Sequence, residues 1–133
     1  MPKSMFDLSG RVALVTGAGS GMGRSISEAM AESGADVACV DIRRDAIEET
    51  AGILKKSGHG VLPVTADVFE EADIKRMLAE TVKKFGKIDI VFAHAAIVKT
   101  RQARIHEVSV EEWDDITSRY LRGLFLTMKY TFP

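Results

Sequence analysis

Two patterns alternate along the chain: short unbroken apolar runs, and longer stretches in which apolar residues return every three or four positions. The runs at 12–15, 35–40, 61–65 and 88–93 are of strand length and rich in β-branched residues, the pattern of buried parallel strands. Between them, Ile26, Ala29 and Met30 oppose Ser25, Glu28 and Glu32. Ala46, Ile47, Thr50, Ile53 and Leu54 share a face over 44–56, and Ile74, Met77, Leu78, Thr81, Val82 and Phe85 share one over 70–85. These are amphipathic helices. Ser33-Gly34, the segment 57–60 and Gly86 supply the stops, and Pro63 is expected to break the third strand early.

Ser109 to Glu112 has the form of a capping box, Ser109 accepting from the Glu112 N–H while the Glu112 side chain reaches back. A long last helix starts there, with Trp113, Ile116, Tyr120, Leu121, Leu124, Phe125 and Met128 as its apolar stripe. That is more apolar surface than one sheet face requires. Part of it is therefore expected to meet another subunit, or chain segments outside these 133 residues.

Strands alternating with helices predict right-handed βαβ crossovers and an α/β doubly wound parallel sheet in three layers. The expected strand order is 3-2-1-4, ending after the fourth strand and the following helix, in a single domain over residues 1–133. The formal charge of −1 gives no electrostatic footprint for nucleic acid or an anionic membrane. No run in 1–10 has signal-peptide length and none elsewhere approaches the roughly 20 apolar residues of a membrane span, so a cytoplasmic home is expected. The lone Cys39 sits inside an apolar strand and reads as a small buried hydrophobe.

The chemistry concentrates where the first strand meets the first helix. Gly17, Gly19, Gly21 and Gly23 follow that strand at once. A helix N-terminus offers unpaired N–H groups and a positive dipole end to an anion, and glycines let the backbone come close. The spacing fails the P-loop form, because counting from Gly17 and Gly19 reaches Met22 and Arg24, and it fails Gly-x-Gly-x-x-Gly. What remains is Thr16-Gly17-x-x-x-Gly21-x-Gly23. Asp41 closes the second strand 24 positions after Gly17, about where a carboxylate takes the ribose hydroxyls of a dinucleotide. It repels a 2′-phosphate, so NAD is expected over NADP, with Arg43 and Arg44 close enough to serve a phosphate if Asp41 turned away.

In this Thr-Gly-x-x-x-Gly-x-Gly turn, and in nearly every residue from Leu8 to Pro133, the chain resembles the amino-terminal, cofactor-binding part of the short-chain dehydrogenase/reductase family. The resemblance implies an NAD(P)-dependent oxidoreductase that passes hydride between nicotinamide and a small-molecule alcohol or carbonyl. It implies a dinucleotide held by Gly17, Ser20, Gly21, Met22, Gly23, Asp41, Ile42, Asp67, Val68, Ala93 and Ala95, with Asp67-Val68 at the adenine. A homo-oligomer goes with it. No metal is implied, and His59, His94 and His106 lack the spacing of a ligand set.

The departures are specific. Where the family has Asn-Asn-Ala-Gly after the fourth strand, this chain has Ala93-His94-Ala95-Ala96. Ala93 cannot make the strand-tying bonds of the first Asn, and His94 is expected to be a hydrogen-bonded structural residue. Tyr120 stands where the family has an Asn on the last helix, and is expected to pack. Lys99, Arg101, Arg104 and His106 are expected to form a solvated loop face. The family's catalytic Ser, Tyr and Lys come later than anything here, so no catalytic residue is expected in this chain and little or no turnover from it alone. The alternative is a non-catalytic nucleotide-binding or assembly module, suggested by the lost Asn residues at 93, 94 and 120.

Overall fold

A computed structural model describes residues 5–96 and 103–132. In chain order the elements are β1 (Val12–Thr16), α1 (Gly21–Glu32), β2 (Asp36–Asp41), α2 (Arg44–Leu54), β3 (Val61–Thr65), α3 (Glu71–Phe85), β4 (Ile90–Phe92) and α4 (Val110–Thr131). Short 3-10 turns lie at Lys55–Ser57 and Ile105–Glu107. The strands are all parallel and run β3-β2-β1-β4 across the sheet, as the alternation of strands and helices predicts.

A parallel strand covered on both faces must be apolar along its whole length, and all five residues of β1 are buried. Alternation then sorts their side chains. Ala13 and Val15 join Val37 and Cys39 of β2 in one layer with Ala31 of α1 and Ile47 and Leu54 of α2. Leu14 joins Ala38 and Val40 in the other, with Ile74 and Met77 of α3 and Leu126 of α4. Full burial of a Leu or Ile side chain contributes about 1.5–3 kcal/mol, so Leu14 and Ile47 anchor the two layers.

The structure corrects several local expectations. On α1, Ser27 is buried and Ala29 exposed, because the Ser27 hydroxyl donates to the Gly23 carbonyl at 2.9 Å and brings no unpaired group into the core. On α2, Ala51 takes the core place expected of Ile53, which is half-buried. Pro63 does not break β3, which runs on to Thr65. Because β3 pairs only with β2, the N–H that Pro63 lacks is one an edge strand leaves unused. Val82 of α3 is exposed and Phe85 half-buried.

β4 is three residues long, shorter than its apolar run suggests. Side chains take over the ladder at both ends. Asp89 Oδ2 accepts the Val12 N–H at 2.8 Å before the strand, and Thr16 Oγ1 accepts the N–H groups of His94 and Ala95 after it.

The packed face of α4 is not the predicted stripe. Gly123, Leu126 and Thr127 are its buried residues, whereas Trp113 and Phe125 are 56% and 59% exposed. Gly123 sets this rotation: a β-carbon there would lie 3.2 Å from the Val68 carbonyl oxygen and 3.1 Å from the Phe69 ring. The expected surplus of apolar surface is therefore present, and it faces outward. Ser109 does cap the helix, accepting the Glu112 N–H at 3.1 Å.

Candidate functional site

β1 has β2 on one side and β4 on the other. The crossover through α1 leads from β1 to β2 on one face of the sheet and the one through α3 leads to β4 on the other, so the loops beside the carboxyl end of β1 part and leave a crevice. One part of the crevice is lined by Gly17, Asp41, Ile42, Asp67, Val68 and Ala95, together with Val40, Ala66, Phe69 and Ala96. The other, about 510 Å³, is lined by Gly17, Ser20, Gly21, Met22, Asp41, Ile42, Arg43, His94 and Ala96. Nine of the eleven residues expected at a dinucleotide line these two adjoining spaces.

Gly23 and Ala93 do not. Gly23 is buried beneath the turn, where a β-carbon would stand 2.0 Å from the Gly17 carbonyl oxygen. Its part is to let α1 begin hard against β1. Ala93 lies behind the crevice, lining a cavity of about 30 Å³ with Thr16, Val68, Ala95 and Tyr120. Tyr120 reaches that cavity from α4 while remaining 48% exposed; the expectation that it packs fails because α4 is rotated onto Gly123 and Leu126.

The start of α1 is arranged as an anion cradle. Ser20 is the residue before the helix but makes no side-chain cap; its hydroxyl accepts instead from Arg43 Nη2 at 2.9 Å. The first helical bond runs from Arg24 N to Ser20 O, so the N–H groups of Gly21, Met22 and Gly23 have no partner within the helix. A β-carbon at Gly21 would meet nothing within 4 Å, so the backbone there is open to a ligand. Gly17, at φ +70°, needs its missing side chain for another reason. A β-carbon would come within 2.9 Å of the Ala95 Cα, so the obstacle is the chain itself.

Asp41 is nearly buried, at 9% exposure. Its Oδ2 accepts the Gly19 N–H at 2.9 Å and its Oδ1 the Arg43 N–H at 3.0 Å, with the Arg43 guanidinium 3.5 Å away. Each carboxylate oxygen keeps a lone pair for a further donor. Arg44, the other cation near the turn, is engaged by Glu48 at 2.9 Å. Asp67 lies three residues before Glu70, the residue that opens α3, so it is not the helix cap. It caps its own turn, accepting the Phe69 N–H at 2.9 Å, while its N–H donates to Asp73. That N–H bond, with Arg76 at 3.0 Å, holds the Asp73 carboxyl below the usual carboxylate range.

Two residues that support the site, Arg24 and Thr50, escape a reading of spacing, and Thr16 enters that reading only as the first residue of the glycine motif. Arg24 donates to the Gly19 carbonyl at 2.7 Å and to Thr50 and Glu49 on α2. Thr50 donates to the Ala18 carbonyl at 2.9 Å. Together they tie the glycine turn to α2. Thr16 ties it to β4: its hydroxyl oxygen accepts from His94 N and Ala95 N, both at 3.0 Å, a link between strands that Ala93 cannot supply. The one signal in the sequence is that Thr16 and Thr50 are polar residues at core positions. Of the cations expected in the solvated loop, Arg104 and His106 are exposed at the Ile105–Glu107 turn; Lys99 and Arg101 lie outside the described residues.

These residues fit a dinucleotide: uncapped N–H groups and open backbone for a pyrophosphate, a carboxylate for ribose hydroxyls, and an apolar wall at Ile42 and Val68. A family profile described as short chain dehydrogenase matches residues 11–133. The 2,5-dichloro-2,5-cyclohexadiene-1,4-diol dehydrogenase of Sphingobium indicum is 38% identical over 126 residues, covering 95% of this chain and 49% of that protein. A crystal structure of a short-chain type dehydrogenase/reductase from Mycobacterium marinum superposes with a TM-score of 0.86 at 34% identity, over 96% of this chain and 51% of that one. The 3-ketoacyl-(acyl-carrier-protein) reductase of Brucella melitensis, complexed with NADH, gives 0.84 at 36% identity, over 95% and 50%. The chain spans about half the length of the curated relatives it matches.

Proposed function

The chain belongs to the short chain dehydrogenase family, and from that premise we propose that it is the dinucleotide-binding half of an NAD-dependent oxidoreductase acting on an alcohol or carbonyl. The observation that carries this reading is the convergence of Gly17, Gly21, Asp41, Ile42, Asp67 and Val68, drawn from three separate loops, on one crevice. The N–H groups at the start of α1 take the pyrophosphate, the Asp41 carboxylate takes the adenosine ribose, and Val68 with Asp67 borders the adenine. Nicotinamide supplies the hydride chemistry when bound.

Asp41 favours NAD over NADP because a 2′-phosphate would meet a nearly buried carboxylate. Arg43 does not offset this, since its guanidinium is already engaged by Asp41 and Ser20. We place the family's Ser, Tyr and Lys outside these 133 residues, so that they bind cofactor without turning over a substrate. A cytoplasmic setting and a homo-oligomer go with the same reading.

A second reading, a non-catalytic assembly module, is favoured by the outward-facing apolar side chains of α4. Calorimetric titration with NADH and with NADPH separates the two. Micromolar binding of NADH, much weaker binding of NADPH and loss of the NADH binding in Asp41→Ala are expected for the cofactor-binding half. No binding of either would leave the assembly module standing.

A further inference from the structure

The loop between β3 and α3 borders the crevice, yet its tip is held from outside the crevice. Val68 and Phe69 both line the space beside Asp41 and Asp67. The residues before them are anchored: Ala66 N donates to the Asp41 carbonyl at 3.0 Å and Asp67 N to Asp73 at 2.8 Å. The Phe69 N–H is used within the loop, on the Asp67 carboxylate at 2.9 Å. Among the described residues, the one hydrogen bond that joins Val68 or Phe69 to another element comes from α4, where Arg122 Nη1 donates to the Phe69 carbonyl at 2.5 Å. Arg122 itself lines neither part of the crevice.

α4 gives that bond a fixed origin. Leu126 packs with Ile74 and Met77 in the core, and the Tyr130 hydroxyl donates to Glu71, the first residue of α3. Gly123, beside Arg122, lets the helix lie directly against the loop, where a β-carbon would stand 3.2 Å from the Val68 carbonyl oxygen. Resting on the dinucleotide reading above, we propose that Arg122 is a positioning residue of the cofactor site, its bond to the Phe69 carbonyl setting where Val68 and Phe69 stand against the adenosine half of the dinucleotide. A charged donor makes a stronger hydrogen bond to a carbonyl than a neutral one, and the long arginine stem carries it across the helix surface to the loop.

The effect is confined to one end of the crevice. The glycine turn is held separately, to α2 by Arg24 and Thr50 and to β4 by Thr16, so losing the guanidinium loosens the adenosine end and leaves the cradle at the start of α1 in place. Arg122 is exposed, so its removal opens no cavity in the core and the fold stands. A wall already fixed in its bound position spares the dinucleotide the cost of ordering it. Without Arg122 that cost falls on binding, with the size of about one hydrogen bond.

The test is calorimetric titration of the full chain with NADH, and displacement of NADH by AMP, in the parent, Arg122→Ala and Arg122→Lys. The expected result in Arg122→Ala is binding about three- to tenfold weaker, by the same factor for NADH and for AMP, with an unchanged far-ultraviolet circular dichroism spectrum. Arg122→Lys, which keeps a charged donor, should recover most of the loss. A purely structural role would lower the urea midpoint and leave both affinities of the folded chain as in the parent; that outcome overturns the proposal and leaves the dinucleotide reading intact. Weaker binding of NADH with AMP unaffected also overturns it, because Arg122 would then not be holding the adenosine end. No NADH binding in the parent, or NADH that AMP fails to displace, overturns the dinucleotide reading or its placing of the adenosine, and the proposal with it. Should Arg122→Ala not fold, Arg122→Met, which keeps most of the stem and removes the donor, takes its place. If neither folds, Arg122 holds the fold and the proposal is overturned.

Discussion

Asp41 Oδ2 accepts the Gly19 backbone N–H at 2.9 Å, so the carboxylate proposed to take the ribose also holds the glycine turn. The two halves of the crevice are one hydrogen-bonded unit. Gly19 has no unusual φ and its replacement is not a matter of backbone strain. Instead, a β-carbon there would lie 2.7 Å from Asp41 Cγ and 3.0 Å from the Ala46 Cβ. Gly19→Ala is expected to push the carboxylate out of register, weakening NADH binding by more than about tenfold, the equivalent of about 1.4 kcal/mol. Far-ultraviolet circular dichroism should stay unchanged. Titration of the variant checks this, and parent-like affinity would show that the two loops move independently.

Thr16 is the corresponding tie on the other side of β1. Its hydroxyl is the acceptor for two backbone N–H groups beyond β4, and those residues pack against Gly17. Thr16→Val keeps the shape and removes the acceptor. The His94 N–H keeps the Phe92 carbonyl at 3.0 Å, but the partly buried Ala95 N–H is left unsatisfied at a cost of about 1–3 kcal/mol, so the urea midpoint should fall while Thr16→Ser stays near the parent. NADH affinity should drop with it in the valine variant, because Ala95 lines the crevice.

Much of this was legible in the sequence because the constraints were local. Gly17 through Gly23 must stand between a strand and a helix in a fixed spacing, and Asp41 must close β2, whatever the rest of the chain does. The strand order followed from the alternation of apolar runs and amphipathic stretches. What escaped depends on contacts between distant segments. The helical period identifies α4 as amphipathic, but which arc turns inward depends on Gly123 meeting Val68 and Phe69 from another loop. The length of β4 depends on Asp89 and Thr16 capturing the N–H groups around it. Ser27 reads as a surface residue until its bond to the Gly23 carbonyl is seen, and His94 reads as a hydrogen-bonded structural residue until its ring is found without a bond among the described residues.

Cys39 offers a check on the core. Burial in the β1–β2 layer pushes its thiol up to about 12, its side chain is fully buried, and Sγ lies 3.7 Å from the Leu62 carbonyl oxygen. Only a thiolate is a good nucleophile. The native chain is therefore expected to resist iodoacetamide at pH 8 for as long as it stays folded, and to take up one equivalent in denaturant. Rapid native labelling, followed by mass spectrometry, would mean that β2 opens locally on the labelling timescale.

Asp89 carries the acid sensitivity of the sheet. Lys87 at 2.9 Å, the Val12 N–H at 2.8 Å and Arg11 at 3.2 Å hold its carboxyl down at about 2. Glu71 is held equally low, first by the Tyr130 hydroxyl and then by Lys75. A carboxyl depressed in the folded state stabilises the fold while ionised; that contribution is complete above the ordinary carboxylate range near 4 and disappears as pH falls through the folded value near 2. Asp89 does this where β4 begins, so its protonation releases the Val12 N–H and loosens the β1–β4 pairing beneath the crevice. Urea midpoints measured from pH 5 down to pH 2 should decline more steeply in the parent than in Asp89→Asn, the variant starting lower and the two curves converging at the acid end. Curves that stay parallel over that range would show that Asp89 is ionised to the same extent in the folded and unfolded chains, and that β4 is held by its ladder alone.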